Sequence, residues 1–265
     1  MSAVPLTDLS DFLKSRRDAV SPADAGVRPH GVRKVKGLRR EELADLAGLS
    51  VDYYTRLEQG RAGVPSRQVR AALARALALD ESERHYLDLL VEPEPVQALP
   101  ETPRTALTDF VRRYSAGPAY MFDPQLNIVV ANDLARHILF RGVPAEFQDN
   151  MARWIFLGEG SKDVFVDWRR KAEEVSGILR FAMAERRNDP RLLAVIAELG
   201  KRPSFVRIWR SHIVLDKNHG SKLVRIPGGE KKALTYETFQ SASDPGYRIV
   251  LHTVETPSST KEEDP

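Results

Sequence analysis

The residues that usually make or break bonds are poorly placed for it in this chain. Six histidines, at positions 30, 85, 137, 212, 219 and 252, show no HExxH or other metal-ligand spacing. Cysteine is absent, which removes thiolate metal sites, Fe–S clusters, disulfides and a sulfur nucleophile. There is no Gly-rich phosphate loop and no G-x-S-x-G turn, and Asp163 and Asp167, one helical turn apart, have no histidine beside them. Catalysis and a resident metal or cofactor are therefore not expected. Charge is more informative. The total is only +3, yet residues 28 to 75 hold eleven basic against five acidic side chains, a local patch of the kind that meets phosphate.

That patch must be carried by short helices. Leu6, Leu9, Leu13 and Val20 recur at helical spacing, so a helix is predicted from Leu6 to about Arg17. Ser21-Pro22, Gly26, Pro29 and Gly31 then break periodicity over a loop from Asp18 to Lys36. Leu38, Leu43, Ala44 and Ala47 share the face of a second helix that Gly48 stops, and Ser50 is placed to cap a third, Val51 to Gln59. Two short helices joined by so tight a turn cross steeply and expose one side of the second. Tyr54 and Leu57 face inward, and Val51, Asp52, Thr55 and Arg56 outward. Ser66 caps a fourth helix carrying Val69, Leu73, Ala76 and Leu77, and Asp80 with Glu83 opens a fifth that ends near Leu90.

Gly37-Leu-Arg-Arg-Glu-Glu-Leu-Ala44, Ala47-Gly-Leu-Ser50 and Tyr53-Tyr-Thr-Arg-Leu-Glu-Gln-Gly-Arg61 resemble the helix-turn-helix of Xre/Cro-type repressors, most closely the MmyB-like branch. The resemblance implies that Val51, Asp52, Thr55 and Arg56 read bases in the major groove of double-stranded DNA. Arg56 has the planar fork that suits guanine, and Asp52 either accepts from a cytosine amine or steadies Arg56. Arg39, Arg40, Ser50, Tyr53 and Arg61 would face phosphate. The resemblance also implies an ion pair to Glu58 from the first helix, for which Arg17 is the candidate. One such domain contacts a single half-site, so a homodimer on an operator is expected.

Four prolines between 93 and 103 mark a linker, which divides the chain into a helix-turn-helix domain at 1–91, the linker at 92–103, a second domain at 104–256 and a polar tail at 257–265. In the second domain Leu107 to Tyr114 reads as a helix and Ala119 to Phe122 and Leu126 to Ala131 as strands. Helices on Trp168 to Leu179 and Leu192 to Leu199 follow, with Phe205 to Trp209 extending them. Strands are predicted at His212 to Leu215, Lys222 to Ile226, Leu234 to Phe239 and Tyr247 to Val254, with turns at 218–220, 228–229 and 244–246. The order suggests an antiparallel sheet with helices on one face, an α+β domain behind an all-α one. The strings Pro118-Ala-Tyr-Met, Asp123, Val130-Ala-Asn132, Asn150 to Phe156, Asp189-Pro-Arg191 and Phe205 to Trp209 resemble the PAS-like ligand-binding domain of MmyB-like regulators. Ile226-Pro-Gly228 stands where that family commonly has His-Pro before a glycine. The resemblance implies a small apolar, fatty-acid-like ligand. Its candidate lining is Phe122, Trp154, Phe156, Phe165, Trp168, Phe205, Trp209 and Tyr236, with Arg153 as the carboxylate anchor. The alternative is a DNA-binding regulator or antitoxin whose second domain binds a protein partner and no small molecule.

With 265 residues, 42% hydrophobic and 29% charged, the chain can bury two cores. Its longest apolar run, Leu192 to Ala197, is far below the ~18 residues of a membrane span, and no basic-then-apolar leader opens it. A cytoplasmic protein with no membrane partner is expected.

Overall fold

The computed structural model describes residues 9–27, 33, 35–92, 102–147, 150–214, 218–244 and 246–254. Its helices and strands run in the order α1 (Leu9–Ala19), α2 (Arg40–Ala47), α3 (Val51–Glu58), α4 (Arg67–Ala76), α5 (Glu81–Val91), α6 (Thr105–Arg113), β1 (Ala119–Phe122), β2 (Ile128–Ala131), α7 (Asp133–Ile138), α8 (Met151–Leu157), α9 (Ser161–Val164), α10 (Trp168–Glu185), α11 (Pro190–Leu199), α12 (Pro203–Trp209), β3 (His219–Arg225), β4 (Lys231–Gln240) and β5 (Arg248–Val254). Among the described residues, no helix is long and apolar enough to cross a membrane. Two compact units emerge, one within Met1–Val96 and Ser176–Asp216 and the other within Gln97–Val175 and Lys217–Pro265.

In the first unit α1 to α5 surround one apolar core whose fully buried members include Phe12, Leu13, Leu43, Tyr54, Leu73 and Leu87. Each buried side chain of that size contributes about 1.5–3 kcal/mol. Local chemistry delimits the helices. Gly48 takes φ 65° after α2, Ser50 and Ser66 accept Tyr53 N–H and Val69 N–H at 3.2 and 3.4 Å, and Asp80 and Glu83 cap each other's backbone at 2.8 and 3.1 Å. Gly37 is buried where a Cβ would collide with the carbonyl oxygens of Arg17 and Asp18, so only glycine lets the chain pass the end of α1 so closely.

Residues 176–216 group with these helices, whereas the linker had set the division of the chain at 92–103. The cause is apolar. Phe181, Ala184 and Val214 join the first core, with the Phe181 ring 6.3 Å from Tyr86 and 5.3 Å from His85. Arg187 adds donors to the carbonyls of Leu89 and Leu90, which the end of α5 leaves free, at 2.9 and 2.6 Å. Arg180 is 1% exposed and lies 4.2 Å over the Trp209 ring, its guanidinium donating to the carbonyls of Trp209 and Ile213. Burial lowers its pKa to about 10. The strand predicted from His212 is not formed over 212–214, and Leu215 lies outside the described residues. His212 adopts φ 52° and its carbonyl accepts from Arg16 instead of a neighbouring strand.

The second unit is built on a five-stranded antiparallel sheet of order β2-β1-β5-β4-β3, the PAS-like α+β arrangement expected. β3 starts at His219, so two of the three residues assigned to a turn at 218–220 belong to the ladder. Two asparagines organise the connections. Asn132 caps α7 and accepts Ala119 N–H at 2.9 Å while donating to Gly117 and Tyr114 carbonyls. Asn150 caps α8 and donates to the Gln125 carbonyl at 2.8 Å and to Asn127 at 2.9 Å. One sheet face, with Ala119, Met121 and Ile249, packs on Val111 of α6. The opposite face carries Tyr120, Phe122, Val224, Leu234, Tyr236, Val250 and His252, all buried.

Candidate functional site

The sequence assigns one candidate site to each domain. The first is α3. Its inner face is held by Tyr54 and Leu57 in the core and by Glu58, whose side chain is fully buried. Arg17 of α1 meets that carboxylate with both prongs, Nε to Oε2 at 2.9 Å and Nη2 to Oε1 at 3.0 Å, while its Nη1 donates to the Leu38 carbonyl at 2.7 Å. Arg40 of α2 adds Nη2 to Oε1 at 3.0 Å. Burial raises the Glu58 carboxyl, but the guanidinium groups of Arg17 and Arg40 outweigh it and hold the group below the ordinary glutamate range. Ser10 Oγ donates to the Glu58 carbonyl at 2.7 Å, so α1 fixes both the side chain and the backbone at the end of α3.

The outer face is correspondingly free of the core. Val51 is 48% exposed, and the side chains of Asp52 and Arg56 are 81% and 53% exposed, joined by an i,i+4 contact of 3.3 Å. Thr55 is half-buried beside them. Ser50 and Tyr53 lie at the capped start of α3, and Arg61, exposed, follows the Gly60 stop. Arg39 precedes α2, with its N–H on Glu42 at 2.7 Å and its guanidinium 3.4 Å from Glu41. Arg40 is divided between solvent, with 46% of its side chain exposed, and Glu58. This arrangement leaves a short, rigidly backed helix whose start and outer side carry hydrogen-bonding groups.

The second site lies in the sheet unit. Phe122, Phe156, Phe165 and Tyr236 are buried there, Phe156 meeting Trp168 edge-on at 6.0 Å. Trp154 is 1% exposed, and its indole N–H has no hydrogen-bond partner among the described residues. Arg153 on α8 is half-buried. Phe205 and Trp209 belong to the other unit, where they stack at 5.2 Å beneath Arg180. Six of the eight expected aromatics thus belong to one unit and these two to the other.

Sequence reasoning missed a buried polar row on the same sheet face. The rings of Tyr120 and Tyr236 stand 5.7 and 5.9 Å from His252, and Lys222 Nζ lies 4.2 Å from the Tyr236 centroid. From α10, Lys171 Nζ donates to Glu174 Oε1 at 2.7 Å, and Lys222 Nζ is 3.9 Å from the same oxygen. Burial opposes ionisation of Glu174, yet Lys171 and Lys222 hold its pKa at about 2. Burial drives Lys222 down to about 7 and His252 well below its ordinary value, and burial with Glu174 pushes Tyr236 up to about 12. The available signal was the alternation Gly220, Lys222, Val224, which sets the lysine on the inward face of β3.

A family model described as a helix-turn-helix domain matches residues 8–87, and one described as the MmyB-like transcription regulator ligand binding domain matches residues 103–264. None of the curated proteins matches the sequence. These are regulatory modules and not enzymatic ones, which points away from catalysis. Because the ligand-binding match alone spans more than half of the sequence, the chain belongs to the MmyB-like transcription regulators, DNA-binding proteins whose helix-turn-helix precedes a ligand-binding domain.

Proposed function

We propose that α3 is the recognition helix of a sequence-specific regulator of the Xre/Cro kind, entering the major groove with Val51, Asp52, Thr55 and Arg56 toward the bases. The observation that carries this reading is the division of α3 into a face locked by Tyr54, Leu57 and the Arg17–Glu58 pair and a face left open. A recognition helix must hold its side chains steady against base edges, where a bidentate arginine–guanine pair discriminates by about 1–3 kcal/mol. Ser50, Tyr53, Arg39, Arg40 and Arg61 then set register on phosphates around the Ser50-capped start of α3. Two copies of the chain bind half-sites about one helical turn apart, which supplies the specificity one domain lacks. The second unit binds a small apolar, fatty-acid-like molecule among Phe122, Trp154, Phe156, Phe165, Trp168 and Tyr236, and its occupancy changes DNA affinity by favouring one state of the protein over another.

Selection of duplexes from a random pool by the full chain tests the reading. Enrichment of one motif with two related halves is the expected result. Retention of all sequences alike would overturn it.

A further inference from the structure

The polar row of the C-terminal sheet has two unmet needs that a ligand could satisfy together. The first is charge. Lys171 and Glu174 neutralise each other at 2.7 Å, which leaves the buried Lys222 with a carboxylate no nearer than 3.9 Å. An ammonium in that position is costly without a counter-ion. The second is hydrogen bonding. His252 is 0% exposed and its Nδ1 lies 3.0 Å from the Pro118 carbonyl, so Nδ1 holds the proton and donates it there. Nε2 is thereby left as a bare acceptor, with no partner among the described residues. Lys222 and His252 flank the same Tyr236 ring, and the cross-strand pairs Tyr236–His252 and Lys222–Leu234 keep them on one face with apolar Val224, Leu234 and Val250.

We propose that this face is the polar end of the ligand site and that it selects a hydroxy-carboxylic acid with an apolar tail, the carboxylate pairing with Lys222 and the hydroxyl donating to His252 Nε2. The inference rests on the small-molecule reading of this domain and adds the ligand's head chemistry to it. A single surplus cation suits a monoanion, since a phosphate dianion would leave buried negative charge. The half-buried Arg153 is then free of the anchoring role that the resemblance implied for it.

Regulation by pH follows. The groups facing Lys222 are Lys171 and Glu174 from α10 and Tyr236 and His252 from the sheet, with Tyr120 behind His252. Glu174 stays ionised and His252 neutral near neutral pH, so Lys222 is the group that titrates there, at about 7. An anion binds its charged form. Affinity is therefore level below about pH 7 and falls as pH rises, by about tenfold per unit because one proton must be taken up.

Calorimetric titration of the full chain with 3-hydroxydodecanoate, dodecanoate and dodecan-1-ol between pH 6 and 9 tests the assignment. Both acids are ionised throughout this range. The hydroxy acid is expected to bind about tenfold more tightly than dodecanoate, both acids to weaken with pH, and the alcohol to be indifferent to it. Lys222→Met should abolish the pH slope and the advantage of acid over alcohol, and His252→Phe should remove only the advantage of the hydroxyl. The wild-type comparisons stand even if a variant fails to fold. Equal binding of all three compounds without a pH slope would overturn this assignment while leaving an apolar ligand site in place. Equal binding of the two acids would overturn the role of His252. Binding of none of them would overturn the small-molecule reading and this inference with it.

Discussion

Glu58 shows how much one buried residue organises here. It receives Arg17 through two hydrogen bonds and Arg40 through two more, and it sits at the end of the helix assigned to DNA. Replacing one partner of a buried pair leaves the other charged and unmatched, a loss of about 3–5 kcal/mol. Glu58→Gln is therefore expected to lower the urea midpoint sharply and to weaken DNA binding through loss of folded protein. Its folded-state pKa is depressed, so its stabilisation is complete above the ordinary glutamate value, about 4.3, and disappears as pH falls through the lower value. Wild type and Glu58→Gln should thus converge in stability in acid and differ most near neutrality, as melts at pH 3 and pH 7 would show. The pair was legible in the sequence only through a family resemblance, because its members stand 41 residues apart and no local pattern links them. The Lys222 row was not legible. Its charges are brought together by β-sheet register and by a helix some fifty residues earlier in the chain, whereas hydropathy alternation around Lys222 shows only which way it points.

Among the elements, those defined by nearby residues were read well. Gly48, Ser50, Ser66, Asp80 and Glu83 all act within one turn of their own position, and the helices they bound fall where the sequence set them. Removing the Ser50 hydroxyl tests this directly. Ser50→Ala should cost about 1 kcal/mol and lower the melting temperature modestly, with greater amide exchange in the first turn of α3. The elements that went astray depend on distant partners. The 212–214 segment is apolar enough for a strand, but the His212 carbonyl is taken by Arg16, and Arg180 draws on Ile213 and Trp209. Gly117 is a further tight point, since a Cβ there would strike the His252 carbonyl where the chain enters β1. Gly117→Ala is expected to destabilise the sheet unit, read as a lower melting temperature of the full chain by calorimetry.

For the whole molecule, a net charge of +3 hides the basic excess of residues 28–75, and the helix-turn-helix occupies that stretch. The proline-rich 92–103 region reads as the division of the chain, and the two family matches cover 8–87 and 103–264. It is a poor guide to packing, because residues 176–216 join the first core through Phe181, Ala184 and Val214, side chains that a sequence reads only as apolar. If the ligand regulates DNA affinity, linkage requires the converse: operator DNA must change ligand affinity by the same factor. Paired titrations, with each partner absent and then saturating, should return equal ratios different from one. Ratios of one would mean binding without regulation.

The central claim, that the open side of α3 reads bases, is tested most directly by comparing Arg56→Ala with Arg61→Ala on the selected operator, on its single-base variants and across a salt series. Arg56→Ala is expected to erase preference at one base position, a loss of about 1–3 kcal/mol there, and Arg61→Ala to weaken every duplex alike while reducing the salt slope by about one. Equal losses from both substitutions on operator and random DNA would contradict the account.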